Sequence, residues 1–352
     1  MAIFDFCVPI IIGLLLRSVG AHGDGRRSCG TPVMTLEEQV KDANDFQAWM
    51  TMKASLQADG TAGAAAANVL AVDWSTPGTV ITIPTYVHVI HNGTLGEQFT
   101  YASNPSYIQN QIKVLNVGFR GEEGMYLPNP NGRSYDRYSV SNADTKIQFC
   151  LAGTTATDKA SWYSMIEDSA EEERSMKTVL KIGGMETLNV YVASPTSLFG
   201  WVPYYPSEIK NQKEAVLDGV VILNDSMPGG IASPFNEGDT LTHEVGHWLN
   251  LAHTFDRGCK GLGDYMDLAP PSADYMSKAA KEKEAHFECP VNLDDCTNDW
   301  GKKTPIHSFM SYVDVSLQFM TLHERNFPFL PALSVSCYHT FLPTCLLIDD
   351  HY

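Results

Sequence analysis

From Val80 onward the chain alternates between two hydrophobic textures. ITIPTYVHVI at 81–90, LNVYVA at 188–193 and GVVILN at 219–224 are rich in β-branched and aromatic residues and predict strands. Between them, apolar positions recur at helical spacing: Ile108, Ile112 and Leu115 in a segment from about Pro105 to Leu115, and Met176, Val179 and Leu180 in one from Ser169 to Lys181, ended by Gly183-Gly184. A last helix is expected to begin near Asp239 or Thr240, both competent N-caps. Alternating helices and strands predict a mixed α/β layer, with no internal repeat. Upstream, residues 32–56 have an amphipathic helical pattern, and DGTAGAAAANVLAVDW at 59–74 has the composition of a linker.

Composition narrows the class. The 352-residue chain carries a formal charge of −17, which leaves no basic stripe for phosphates or an anionic membrane surface, so no nucleic acid and no membrane partner is expected. An apolar run from Cys7 to Leu16, followed by Val19-Gly20-Ala21, suits a secretory signal over residues 1–21 and is too short to anchor in a bilayer. Secretion makes disulfides expected, yet removal of Cys7 leaves seven of the eight cysteines, an odd number. At least one thiol is then free, paired between chains or otherwise engaged. Sequons at Asn92 and Asn224 are compatible with glycosylation on the same route.

HEVGHWLNLAH at 243–253 carries the chemistry. On a helix, His243 and His247 project from one face, so two imidazoles can meet one tetrahedral ion at about 2 Å. Glu244 lies one residue round, placed to act as general base on a water rather than to ligate the metal. His253 can join only if the helix stops and the chain turns back near residue 250. A left-handed residue makes such a turn; glycine serves best and asparagine next, so Asn250 is expected to vary the motif without breaking it.

With these residues in view, the sequence resembles the metzincin metalloproteinases, specifically the pappalysin family and its secreted fungal-type extracellular members. RSCGTP at 27–32, YVHVIHNGT at 86–94, IQFCLAG at 147–153, LFGWVPYYP at 198–206, DGVVILNDSMPGG at 218–230 and FNEGDTLTHEVGHWLNLAHTF at 235–255 look like family blocks in family order. The resemblance implies a metzincin-type α/β catalytic domain over 80–325: a twisted, mostly parallel sheet, a zinc-binding helix, and a small irregular lower part. Residues 22–79 would be prosegment and linker, and 326–352 a divergent tail. It further implies a secreted zinc endopeptidase with one catalytic Zn2+ on His243, His247 and His253, Glu244 as base, and protein or peptide substrates. A monomer is expected.

HSFMSY at 307–312 resembles the family's methionine turn, making Met310 the floor beneath the metal and Tyr312 a stabiliser of the tetrahedral intermediate. Substrate is expected to pair with a sheet edge near Gly219 to Leu223. The resemblance pairs Cys259 with Cys296 and leaves Cys289 without its family partner. Leu268 and Ala269 stand where an acidic residue and a threonine are expected, which argues against a Ca2+ site. RSCGTP allows two readings: Cys29 as a cysteine switch on the zinc, or a Cys29–Cys150 disulfide. The alternative to an enzyme is a secreted, catalytically inactive binding protein of the same fold; the intact His, Glu and Tyr set opposes it.

Overall fold

The structure, a computed structural model, describes residues 28–35, 37–38, 41, 80–93, 104–120, 145–165, 170–260 and 308–312. The signal, most of the prosegment and linker, Cys289, Cys296, the segment holding Leu268 and Ala269, and the tail lie outside the described residues. In chain order the elements are β1 (Ser28–Cys29), β2 (Ile81–His91), α1 (Pro105–Arg120), β3 (Ile147–Asp158), α2 (Ala160–Tyr163) and α3 (Ala170–Leu180), then β4 (Leu188–Ala193), β5 (Leu198–Trp201), α4 (Gln212–Ala215), β6 (Val220–Leu223) and α5 (Asp239–Trp248).

The strands form one six-stranded sheet in the order β1-β5-β6-β4-β2-β3. Every neighbouring pair is parallel except β5 with β6. β4 and β6 are buried along their whole length, as central strands covered on both faces must be. Side-chain alternation divides the core accordingly. Val190, Val192, Val220 and Ile222 face one way, with α1, α5, Phe309 and Met310; Tyr191, Ala193 and Val221 face the other, with Trp162 and Met176.

Three expectations change here. Val220–Leu223 is not an edge: it lies between β4 and β5, and β5 would be the edge strand on this side were it not covered in parallel by residues 28–29. Sequence order hides this because β5 is four residues long and antiparallel to β6. On α3, Val179 is 69% exposed, and the buried face instead carries Lys177, whose ammonium meets Glu173 at 2.8 Å and the carbonyls of Leu217 and Gly219 at 2.8 and 2.9 Å. Helix α5 is capped by Gly238, in a left-handed conformation, and Asp239 is already its first residue.

Gly118 lets α1 approach α5 closely; a β-carbon there would lie 2.7 Å from Thr242 Cγ2 and 3.2 Å from Phe309 Cζ. That contact seats α5 beneath the sheet with residues 241–248 all buried, which fixes the helix carrying the histidines. No helix among the described residues is long and apolar enough to cross a membrane.

Candidate active site and metal centre

Helix α5 ends in a Schellman turn. Asn250 has φ of +76°, its N–H donates to His247 O at 2.8 Å, and Leu251 N–H donates to Gly246 O at 2.9 Å. The left-handed residue expected at 250 is therefore present, and the turn also returns Leu251 O to accept from His247 Nδ1 at 2.7 Å. Asn250 Oδ1 in turn accepts from Ser207 N–H at 3.3 Å, tying the helix end to the loop after β5.

The turn brings the three histidines together. His247 Nε2 lies 3.1 Å from both His243 Nε2 and His253 Nε2. On His243 and His247, the Nδ1 atoms face the carbonyl oxygens of Phe309 and Leu251, which can only accept, so Nδ1 carries the proton and Nε2 presents a lone pair. His253 Nδ1 lies 3.2 Å from Asp256 Oδ1. Burial, with His253 nearby, holds His243 down to about 3 and His247 well below the usual imidazole range, so both rings are neutral.

Lone pairs crowded at this distance repel unless a cation lies between them. Four ligands about 2 Å from a tetrahedral ion stand about 3.3 Å apart, close to the observed spacing. Cys29 Sγ completes the set: it and one nitrogen from each histidine all lie within 4.8 Å of one another, and all four residues are buried. The chemistry of these donors, three imidazoles and one thiol, suits a soft to borderline divalent metal.

Glu244 sits between the helix and the edge strand. Its Oε2 accepts from Thr31 Oγ1 at 3.0 Å and lies 3.5 Å from Cys29 Sγ. Burial raises its carboxyl to about 8, the two hydrogen bonds pulling the other way. Gly200 of β5 makes the space, since a β-carbon there would fall 2.8 Å from Glu244 Cγ and 2.9 Å from Val221 O. Residues 308–311 turn on a Ser311 N–H to Ser308 O bond of 2.9 Å; Met310 is buried in the core cluster, and its carbonyl accepts from Thr254 N–H at 3.2 Å. Tyr312 packs its ring against His253 at 5.1 Å and donates its hydroxyl to Cys29 O at 3.3 Å.

Known proteins share this chain's sequence at length. The peptidase M43 model, described as pregnancy-associated plasma protein-A, matches residues 187–323, which include α5 and all three histidines. An extracellular metalloprotease of Pyricularia oryzae is 36% identical over 264 residues, covering 74% of this chain and 77% of that protein. One from Colletotrichum graminicola is 33% identical over 293 residues, covering 82% and 84%. The chain belongs to the pappalysin family of extracellular metalloproteases. Among solved structures, mirolysin in complex with compound 9 is similar to this metalloprotease at a TM-score of 0.53 and 26% identity, over 71% of this chain and 90% of that one.

The remaining sites of this pappalysin-family protein divide sharply. Cys29 is a free, buried thiol, while Cys150 and Cys259 are disulfide-bonded, so the Cys29–Cys150 disulfide does not form. Asn92 is exposed, whereas Asn224 is 2% exposed in a 3-10 turn, with no room for a glycan on its amide. Sequence reading missed Thr31 and Asp256, the partners of Glu244 and His253. The signals were a hydroxyl two residues beyond Cys29 and an acid three residues beyond the third histidine.

Proposed function

We propose that this metalloprotease is a zinc endopeptidase made as a latent precursor, with His243, His247 and His253 as zinc ligands and Cys29 in the fourth position until the prosegment leaves. The observation that carries this reading is the convergence of three Nε2 lone pairs and one thiol in a buried cluster. When bound, zinc supplies Lewis acidity and brings the pKa of a water toward neutrality. The chain's own groups then divide the work. Glu244, freed of Thr31, takes a proton from the attacking water and passes it to the leaving amine. Tyr312 donates to the developing oxyanion. Its present bond to the Cys29 carbonyl supports that role, because the group it already holds is a peptide carbonyl. Burial keeps its phenol well above the usual range and so protonated.

Latency is read from the course of residues 28–34. Gly30 N–H donates to Gly200 O at 2.8 Å, Thr31 Oγ1 accepts from Val202 N–H at 2.9 Å, and Arg257 donates twice to Met34 O, at 3.1 and 3.0 Å. The segment thus uses the edge-strand groups that an extended peptide substrate would pair with. Burial, with Glu244 beside it, pushes the bare Cys29 thiol well above its usual range, and a coordinated cation reverses this by deprotonating it. Hydrolysis of unfolded casein by the processed secreted protein, with and without a zinc chelator, tests the function. Cleavage lost to the chelator and regained with zinc is expected; cleavage insensitive to chelation would refute it.

A further inference from the structure

The three histidines are not held alike. His243 and His247 give Nδ1 to backbone carbonyls, whereas His253 Nδ1 faces the carboxylate of Asp256 at 3.2 Å. Both side chains of this pair are nearly inaccessible, at 2% and 1% exposure. Among the described residues, Asp256 Oδ2 has no hydrogen-bond partner. A buried carboxylate left with one acceptor unused is costly unless a positive charge lies close by. No lysine or arginine of the described residues forms an ion pair with it. The charge that fits this position is that of a cation on the far nitrogen of the same imidazole.

We infer that Asp256 is a positioning residue for the metal, orienting His253 and strengthening it as a donor through a carboxylate–histidine–metal relay. The inference rests on the zinc reading of the site above. Local geometry explains why the relay belongs to this histidine. His243 and His247 are fixed by α5, but His253 lies beyond the turn at Asn250 and has no helix to orient it. Asp256 N–H donates to His253 O at 3.1 Å, closing one turn that fixes ligand and carboxylate together. The ring is held in plane by Phe255, stacked at 4.7 Å and 17°, and by Tyr312 edge-on at 5.1 Å. With a thiolate at the fourth position, Cys29 and Asp256 each bring a negative charge to the surroundings of a divalent ion.

The test is zinc affinity of the full chain by chelator competition, paired with thermal unfolding of zinc-loaded and zinc-stripped protein, for wild type, Asp256→Asn and Asp256→Ala. Asp256→Asn keeps an acceptor for Nδ1–H and removes only the charge. Loss of such an outer partner typically costs roughly 10–100-fold in metal affinity, and we expect the lower end for Asn and the upper for Ala. The stripped Asp256→Asn protein should melt no lower than stripped wild type, since an uncompensated buried charge has gone, while its gain in Tm on adding zinc should shrink. Equal destabilisation of the stripped and loaded forms with unchanged zinc affinity would mean a merely structural residue and overturn the inference. Failure of wild type itself to bind zinc would instead overturn the reading of the centre, and this inference with it.

Discussion

The hydroxyl of Thr31 donates to Glu244 Oε2 at 3.0 Å, so the segment that brings Cys29 to the histidines also occupies the carboxylate beside them. The proposed metal position and the proposed base are covered together. The Cys29→Ala precursor should therefore cleave a quenched peptide faster than wild-type precursor without reaching the rate of processed enzyme. Adding Thr31→Val should raise the rate by a further several-fold. Full activity from Cys29→Ala alone would show that Thr31 contributes nothing to latency.

Glu244→Gln leaves every proposed ligand in place. It should retain about one zinc per chain while peptide hydrolysis falls by at least the roughly 10²-fold that removing a general base costs. His253→Ala should behave differently and lose zinc and activity together. Near-wild-type hydrolysis by Glu244→Gln, measured on processed protein of known zinc content, would exclude its role as base.

At Gly200 the edge strand passes so close to Glu244 that any β-carbon collides with its Cγ at 2.8 Å and, on the other side, with the rigid Val221 carbonyl at 2.9 Å. Gly200→Ala should lower kcat by roughly 10–100-fold, the scale expected for a sub-ångström to ångström displacement of a catalytic group, with zinc content unchanged. Unaltered kcat would show that the carboxylate can move without consequence.

Substitution at Asn250 separates backbone from side chain. Asn250→Gly keeps the left-handed turn while giving up the side-chain contact to Ser207 N–H, so zinc and activity should be retained with stability within about 1 kcal/mol of wild type. Asn250→Val places a β-branched residue at φ of +76°, which should cost about 1–3 kcal/mol and weaken zinc binding although no ligand has changed. Zinc titration of both variants decides the matter; a harmless valine would contradict the turn's role.

What the sequence disclosed follows how local each feature is. The two helix histidines, the turn at Asn250 and the buried strands at 188–193 and 220–223 are written in spacings of a few residues, and they appear where expected. The edge strand was misassigned because strand order is set by non-local pairing, which put short β5 outside β6. The helical spacing put Val179 on the buried face, yet Val179 is exposed and Lys177 is buried, its ammonium satisfied inside the core by Glu173 and two carbonyls. Asn224 matched a sequon whose side chain folding then buried. Thr31 meets Glu244 across 213 positions, a distance over which no motif can signal.

The most direct measurement of the central claim is zinc K-edge X-ray absorption on the secreted, unprocessed chain. The account predicts one sulfur at about 2.3 Å and three nitrogens at about 2.0–2.1 Å, with the sulfur lost in Cys29→Ala. Four nitrogen or oxygen neighbours and no sulfur in the wild-type precursor would contradict it.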